Sequence, residues 1–277
     1  MPRGRWCAID IRLRSGRLSL TLTHHLGNGF MTDTAYVVFG ANGGIGAAVS
    51  RRLAAAGAGL VLAGRSEEKL VKLASELDAT SCVLDARQAN QVRACLETAA
   101  DRFGQLDGVV NCVGSLLLKP ADRTTPEEFA EVISTNLGSA FAVVHSAAAV
   151  MRRSGGSVVL LSSAAAEVGL PNHEAIAAAK AGIIGLARSA AATYASRGLR
   201  FNCVAPGMVR TPMTESITAS DVALKGSIAM HALGRIGEPE DIAAAIDFLL
   251  DPANSWLTGQ VLGVDGGLAH VRARPRA

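Results

Sequence analysis

The residues with the clearest chemical meaning form a cluster of glycines near the start of the chain. Residues 40–46 follow a short apolar run, Ala35–Phe39, and lead into a stretch with apolar residues at helical spacing. Glycine tolerates the positive φ angles and close backbone approach that a turn from strand to helix needs. Unpaired N–H groups at the start of the helix then attract a nucleotide's diphosphate. We therefore predict a phosphate site here, formed by Gly40, Asn42, Gly43, Gly44, Ile45 and Gly46.

The end of the next apolar run bears on the choice of coenzyme. An NAD site places a carboxylate there for the ribose 2′-hydroxyl, but residues 64–66 contain none, and Glu67 comes later, at a helix start. The planar, charged guanidinium of Arg65 suits the 2′-phosphate of NADP(H) instead. The alternative is a surface arginine that stacks on the adenine. We favour NADP(H) over NAD(H).

Alternating apolar runs and helical patterns provide the scaffold for these residues. Strands are predicted at residues 35–39, 59–63, 80–84, 108–112, 157–161, 200–204 and 260–264. Helices are predicted near residues 45–56, 67–77, 90–103, 126–152, 174–196 and 239–250. This order predicts an α/β fold: a Rossmann-type, doubly wound parallel sheet of about seven strands, in three α/β/α layers and one domain over residues 32–268.

The two ends of the chain differ from this domain in charge. Arginines are concentrated in residues 1–31, expected to be a disordered basic extension, and in residues 269–277, a basic tail. The extension faintly resembles a transit peptide, but we favour an upstream extension, with Met31 opening the functional chain. The formal net charge is +3, and without its ends the body is slightly acidic, which argues against a nucleic-acid partner.

Cysteine spacing and hydropathy bear on the compartment. The five cysteines include no C-x-x-C pair, which favours a reduced, cytoplasmic environment and argues against a metal site. No apolar run reaches the roughly 20 residues of a membrane span, so we expect no membrane association.

Over residues 35–268 the sequence resembles the classical short-chain dehydrogenases/reductases. The family's G-x-x-x-G-x-G motif matches Gly40, Gly44 and Gly46, and its V-D-G-G motif matches residues 264–267. Further cofactor-binding residues implied by the resemblance are Asp85 at the adenine, Ala86, Asn111 and Gly114 of an altered N-N-A-G segment, and Pro206, Gly207, Val209 and Thr211 of P-G-x-x-x-T.

The resemblance also implies a catalytic set in which one member is replaced. Asn136, Ser163 and Lys180 match the family's catalytic residues, and Lys180 also belongs to the cofactor site, but Ile176 stands where Y-x-x-x-K places its tyrosine. In the family this tyrosine gives a proton to the carbonyl oxygen, the lysine eases its ionisation and holds the ribose, and the serine fixes the oxygen. Isoleucine has no proton to give, and general acid help is worth roughly 10²–10⁴ in rate.

Another proton donor is then required for carbonyl reduction. His173 precedes Lys180 by seven residues, the spacing of the tyrosine in related enoyl reductases, but it also suits a polar residue at a helix start. Ser163 with a water held by Lys180 is the other candidate. The two tyrosines of the chain, Tyr36 and Tyr194, lie too far from the predicted active site to serve as the donor.

Two functions follow. The first is an NADP(H)-dependent oxidoreductase that transfers a hydride to or from a small organic substrate, at a C=O bond or at a C=C or C=N bond. The second is a catalytically weakened NADP(H)-binding protein: a sensor, a scaffold subunit or a non-redox biosynthetic catalyst. The resemblance also implies a homo-oligomer, a tetramer or dimer. A lid over residues 208–233 is expected to line an apolar pocket with Met213, Ile217, Val222, Leu224, Ile228 and Met230.

Overall fold

The computed structural model describes residues 10–14, 17–21 and 34–272, and it divides the chain into two compact units, Met1–Met31 and Thr32–Ala277. In the first unit, strands β1 (Asp10–Arg14) and β2 (Arg17–Thr21) pair antiparallel, where the sequence was expected to be disordered. Apolar and polar residues alternate there with the two-residue period of a strand. The remainder of the extension, and residues 273–277 of the basic tail, lie outside the described residues.

The second unit is built on a seven-stranded parallel sheet in the order β5-β4-β3-β6-β7-β8-β9. Its strands are β3 (Ala35–Phe39), β4 (Gly59–Gly64), β5 (Thr80–Val83), β6 (Gly108–Asn111), β7 (Gly156–Leu161), β8 (Leu199–Pro206) and β9 (Val261–Val264). The strand order reverses between β3 and β6, so a crevice opens at their carboxyl ends.

Helices cover both faces of this sheet. They are α1 (Gly44–Ala55), α2 (Glu67–Leu77), α3 (Ala89–Phe103), α4 (Pro126–Ile133), α5 (Ser139–Val150), α6 (Glu174–Tyr194), α7 (Glu215–Thr218), α8 (Asp221–Met230) and α9 (Pro239–Leu250). A capping box at Thr125 and a proline at the next position start α4. The fold-class prediction of a doubly wound, three-layer α/β domain is confirmed.

The strands separate the core into two layers because successive side chains point to opposite faces. Val37 and Phe39 of β3 pack with α3, α5 and α6 on one face. Tyr36 and Val38 pack with α1, α2 and α9 on the other. Burial on both faces explains why the inner strands β3, β4, β6 and β7 read as nearly continuous apolar runs.

One helix departs from the expected pattern. The predicted helix over residues 126–152 is interrupted by a π-helical turn, Ser134–Gly138, between α4 and α5. Phe129 and Phe141, expected on its apolar side, are 44% and 57% exposed, so that assignment is wrong for both. Small residues such as Ala140 and Ala147 face the core in their place, which lets α5 pack closely on α3.

Within the part of the chain that the structure describes, two helical stretches are long and apolar enough, by length and composition, to cross a membrane: Pro126–Val150 and Glu174–Arg197. In each, at least half of the most apolar window, 61% and 50% respectively, is buried inside the protein. Both stretches pack against the sheet, so their hydropathy is accounted for by the core of the domain.

Candidate active site

The glycine turn lies at the reversal point of the sheet. It follows β3, and Gly40 and Ala41 donate backbone hydrogen bonds to the carbonyl of Ala63 at the end of β4. The segment after β6 lies beside it, because Cys112 donates to the carbonyl of Phe39. The turn is therefore fixed to three strand ends at the mouth of the crevice.

Three glycines of this turn leave no room for a side chain. Gly40 has a φ of +72°, and a Cβ there would come within 2.9 Å of the Cys112 carbonyl carbon. At Gly46 a Cβ would collide with the carbonyl oxygen of Gly40, and at Gly44 it would lie 2.8 Å from Cγ2 of Thr211. The turn is thus closed so tightly that only glycine fits, and its backbone remains accessible to a ligand.

The first turn of α1 is electrostatically open to an anion. Its N-cap residue, Gly43, provides no side-chain hydrogen bond to the helix, and the first turn contains no acidic residue. The N–H groups at the start of the helix therefore keep their partial positive charge. A glycine cradle that a Cβ would fill, beside such a helix start, suits the diphosphate of a dinucleotide.

A cavity of about 250 Å³ extends from this turn toward the ends of β4 and β5. Arg65 lines it, is exposed, and makes no ion pair among the described residues. Ser66 also lines it, and its hydroxyl makes no capping bond to α2 although the residue is the N-cap. An unpaired guanidinium and a free hydroxyl therefore lie side by side in this cavity.

Asp85 lies in the same cavity, but its carboxylate is already paired. Arg87 donates to both of its oxygens, with the shortest contact at 2.7 Å, and also donates to Glu131 at 3.0 Å. The Arg87 guanidinium holds the pKa of the Asp85 carboxyl below its ordinary value. Arg87 was not singled out by the sequence, and it leaves Arg65 as the unpaired cation of the cavity. A role for Asp85 at the adenine stays a prediction.

A second cavity, of about 500 Å³, lies under α7 and α8. It shares Cys112, Val113 and Gly114 with the first cavity, so the two adjoin along the segment after β6. Its walls are mostly apolar. The residues predicted to hold the coenzyme or perform catalysis that line it are Ile45, Gly114, Ser163, His173, Lys180, Pro206, Gly207, Val209 and Thr211.

Lys180 lines the apolar cavity, close to the segment that the two cavities share. Its side chain is buried, and its Nζ donates to the carbonyl of Leu161 at 2.9 Å. A Cβ on Gly114 would lie 3.5 Å from the same nitrogen, so the lysine is close to the shared segment. Burial lowers the pKa of Lys180 to about 8. Near this pH the side chain can therefore change between its ammonium form and its neutral amine form.

Asn136 is completely buried within the π-helical turn, beside this lysine. Its Nδ2 donates to the carbonyl of Val132 at 2.9 Å and to the hydroxyl of Ser115 at 3.0 Å. Its Oδ1 accepts from the Ser115 N–H at 3.3 Å. The amide therefore orients Ser115, a residue that sequence reasoning missed although it directly follows Gly114. Asn111, a predicted cofactor residue, is buried and bonds Ser139 and the Val113 N–H.

Ser163 and His173 both reach the apolar cavity. The Ser163 hydroxyl accepts from the N–H of Ala165 at 3.2 Å. His173 is the N-cap residue of α6, and its Nδ1 lies 2.7 Å from the carbonyl of Pro171. Because a carbonyl only accepts, Nδ1 carries the hydrogen, and Nε2 of a neutral ring has no proton to give.

Ile176, which comes between Ser163 and Lys180 in the sequence, also lines the cavity, and it is 3% exposed. It packs with Val132, Ala175 and Ala179 in a small apolar cluster. The position is therefore filled by hydrocarbon, with no hydroxyl in its place. Cys112, which also lines the cavity, has its pKa raised to about 12 by burial, so its thiol stays neutral.

The prediction of which lid residues line the cavity is confirmed for only three of the six. Met213, Ile217 and Met230 line the cavity as expected. Val222 is 83% exposed and does not line it, because α8 fully buries only Ser227 and α7 fully buries no residue. Leu224 and Ile228 are also outside the lining.

Comparison with known proteins places this site in context. A family model described as enoyl-(acyl carrier protein) reductase matches residues 40–269. A 3-oxoacyl-(acyl-carrier-protein) reductase of Chlamydia muridarum is 36% identical over 255 residues, which cover 87% of this chain and 100% of that protein. A solved short-chain dehydrogenase/reductase from Mycobacterium ulcerans has a TM-score of 0.84 and 31% identity, covering 88% of this chain and 92% of its own. The actinorhodin polyketide ketoreductase, solved with NADPH, has a TM-score of 0.80 and 27% identity, covering 86% and 98%.

Proposed function

Because the chain belongs to the short-chain dehydrogenase/reductase family of oxidoreductases, we propose that it uses NADP(H) to oxidise or reduce a small, mostly apolar organic substrate. The observation that carries this proposal is the pair of adjoining cavities. One holds the glycine turn and the unpaired Arg65, and the other holds Ser163 and Lys180 in apolar surroundings. Residues 112–114, which line both cavities, would lie against the middle of a dinucleotide that extends from one cavity into the other.

The preference for NADP(H) is supported by charge. Arg65 and Ser66 offer a cation and a hydroxyl, both of which suit a 2′-phosphate. The Asp85 carboxylate nearby is neutralised by Arg87, so it does not repel an added phosphate as strongly as a free acid. The NADPH that is bound in the polyketide ketoreductase structure agrees with this preference.

When bound, the coenzyme supplies or accepts a hydride, and the chain must move the accompanying proton. Lys180 is one source, because its lowered pKa allows its ammonium to release a proton, through a water or a hydroxyl, near neutral pH. His173 is the other, but only as an imidazolium, since its Nδ1 hydrogen is held by Pro171. Ser163 positions the substrate oxygen.

A second candidate function is favoured by Ile176. A buried isoleucine at the position of the family's tyrosine removes the usual acid while leaving the proposed coenzyme site intact. A chain that binds NADP(H) without turnover then acts as a sensor, a scaffold subunit or a non-redox biosynthetic catalyst. By analogy with the family, we expect the protein to be cytoplasmic under either function. We also expect it to form a tetramer or a dimer.

Two measurements separate these functions. Calorimetry with NADPH and NADH tests coenzyme binding, and NADPH consumption is then followed with apolar ketones, enones and imines. Turnover of any of these supports the oxidoreductase, whereas tight NADPH binding with no turnover supports the second function. Failure to bind either coenzyme contradicts both.

The proton source is tested by His173→Ala. If the imidazolium is the donor, kcat falls by about 10²–10⁴ and His173→Gln does not restore it. Activity that survives in both variants assigns the proton to the Lys180 route.

A further inference from the structure

Ser115 and Ser163 are among the hydroxyl groups of the apolar cavity whose hydrogens have no protein acceptor in the described part of the chain. Each oxygen accepts one hydrogen bond, from Asn136 and from the Ala165 N–H respectively. Among the described residues, neither hydroxyl donates to any protein group. Both O–H bonds are therefore available to a ligand in the cavity.

Ser115 is held more firmly than a surface serine. Asn136 bonds its hydroxyl with Nδ2 and its N–H with Oδ1, and the same amide is anchored to the Val132 carbonyl. Because Asn136 is completely buried, its amide cannot turn toward water. One lone pair of the Ser115 oxygen is thus occupied, and its hydrogen must point elsewhere.

The surroundings decide what such a hydrogen recognises. The lining of this cavity includes the apolar side chains of Leu116, Leu118 and Ile176. Lys180 donates one of its hydrogen bonds to the Leu161 carbonyl. A donor in apolar surroundings discriminates strongly in favour of a ligand that carries an acceptor at that point. The matching chemistry is an uncharged substrate with one carbonyl oxygen on a hydrocarbon body.

We propose that Ser115 is a catalytic residue that donates a hydrogen bond to the substrate's carbonyl oxygen together with Ser163. This inference rests on the proposed function and specifies its substrate class. Ile176 supplies no hydroxyl, so Ser115 provides the second donor to the oxygen. The pair stabilises the negative charge that develops on this oxygen as the carbonyl carbon receives a hydride.

Binding to the NADP⁺-loaded protein tests the proposal, because a ketone is not reduced there. The probes are 2-acetylnaphthalene and 2-isopropenylnaphthalene, in which a CH₂ group replaces the carbonyl oxygen. We expect Ser115→Ala to weaken ketone binding about 3- to 10-fold and to leave alkene binding unchanged. Ser115→Thr, which keeps the hydroxyl, should restore ketone binding. Ser154→Ala removes an exposed hydroxyl that donates to the Gly155 carbonyl, and it serves as the matched control.

The outcomes distinguish the inference from its premise. Equal weakening of ketone and alkene assigns Ser115 a merely structural role and overturns the proposal, as does an unchanged or unmeasurable ketone affinity. Failure of the native protein to bind NADP⁺ instead contradicts the proposed function. A selective loss for the ketone, reversed by threonine, supports Ser115 as a donor to the substrate.

Discussion

The imidazole of His231 accepts the backbone N–H of Met208 at Nε2, 3.1 Å away, while its Nδ1 donates to the Ser227 carbonyl at 2.7 Å. The ring thereby joins the end of α8 to residues 206–211, which include four of the predicted cofactor-binding residues. A Cβ on Gly207 would lie 2.6 Å from the same Nε2, so this glycine makes room for the ring.

Replacing His231 by phenylalanine is expected to loosen this connection. The Met208 N–H loses its acceptor in a partly buried place, which costs about 1–3 kcal/mol of the free energy of unfolding. The affinity for NADPH should fall as well, because residues 206–211 lose their support. Urea unfolding and calorimetry measure the two effects. His270→Phe, at an exposed position, is the control, and equal behaviour of both variants contradicts the prediction.

Gly46→Ala tests the glycine turn. The added Cβ collides with the Gly40 carbonyl oxygen and forces the turn open. We expect NADPH affinity to fall at least about 100-fold, since misaligned N–H groups lose several charge-assisted bonds to the diphosphate. Gly185→Ala is the matched control, because its Cβ meets nothing within 4 Å and alanine favours the helix. Normal NADPH binding by Gly46→Ala would rule out this turn as the phosphate site.

Arg65→Ala tests coenzyme choice. Removing the unpaired guanidinium should weaken NADPH binding about 10- to 100-fold and leave NADH binding nearly unchanged. Calorimetry with both coenzymes gives the ratio. Arg87→Ala provides the contrast, because that arginine is committed to Asp85 and Glu131. A parallel loss for NADPH and NADH in Arg65→Ala would mean that the side chain only stacks on the adenine.

The lowered pKa of Lys180 predicts that the free energy of unfolding of the coenzyme-free protein rises with pH. Its pKa falls from an ordinary 10.5 to about 8 in the folded chain. Between these values the folded state has released a proton that the unfolded state still binds, so the free energy of unfolding increases with pH. The gain from pH 8 to 10 is about 2 kcal/mol. Subtracting the same urea titrations of Lys180→Met isolates this contribution, and parallel curves for the two proteins would disprove it.

Ile176→Tyr restores the phenol that the family uses. If the native protein lacks this acid, carbonyl reduction should rise by about 10²–10⁴. The larger ring costs about 1–3 kcal/mol of stability in the cluster with Val132 and Ala179. Ile176→Phe adds the ring without the hydroxyl and should not gain activity. A gain in both variants would point to cavity shape, and no gain in either would show that another acid already suffices.

The repeating part of the architecture could be predicted from the sequence because it depends on local patterns. Strand β3 and helices α2 and α9 have the expected limits, since each is bounded by turn or capping residues. The position of Ile176 relative to Lys180 is likewise fixed by helical spacing. These features need only neighbouring residues to specify them.

Features that depend on distant contacts could not be predicted. His231 gains its meaning from a hydrogen bond to Met208, 23 residues away, and Ser115 from Asn136, 21 residues away. Arg87 bonds its near neighbour Asp85, but its second partner, Glu131, lies 44 residues away. Spacing along the chain contains no record of which polar atoms meet after folding.

The π-helical turn at Ser134–Gly138 accommodates one residue more than an α-helical turn would. Each residue of an α-helix advances the side-chain direction by about 100°, and the wider turn absorbs the extra residue, so α4 and α5 both keep their apolar faces toward the core. Deleting one residue there would leave a continuous α-helix, with the alanine face of α5 still packed on α3. Asn136 would lose the backbone position from which it bonds Ser115. Such a deletion would thus damage the substrate cavity and spare the core.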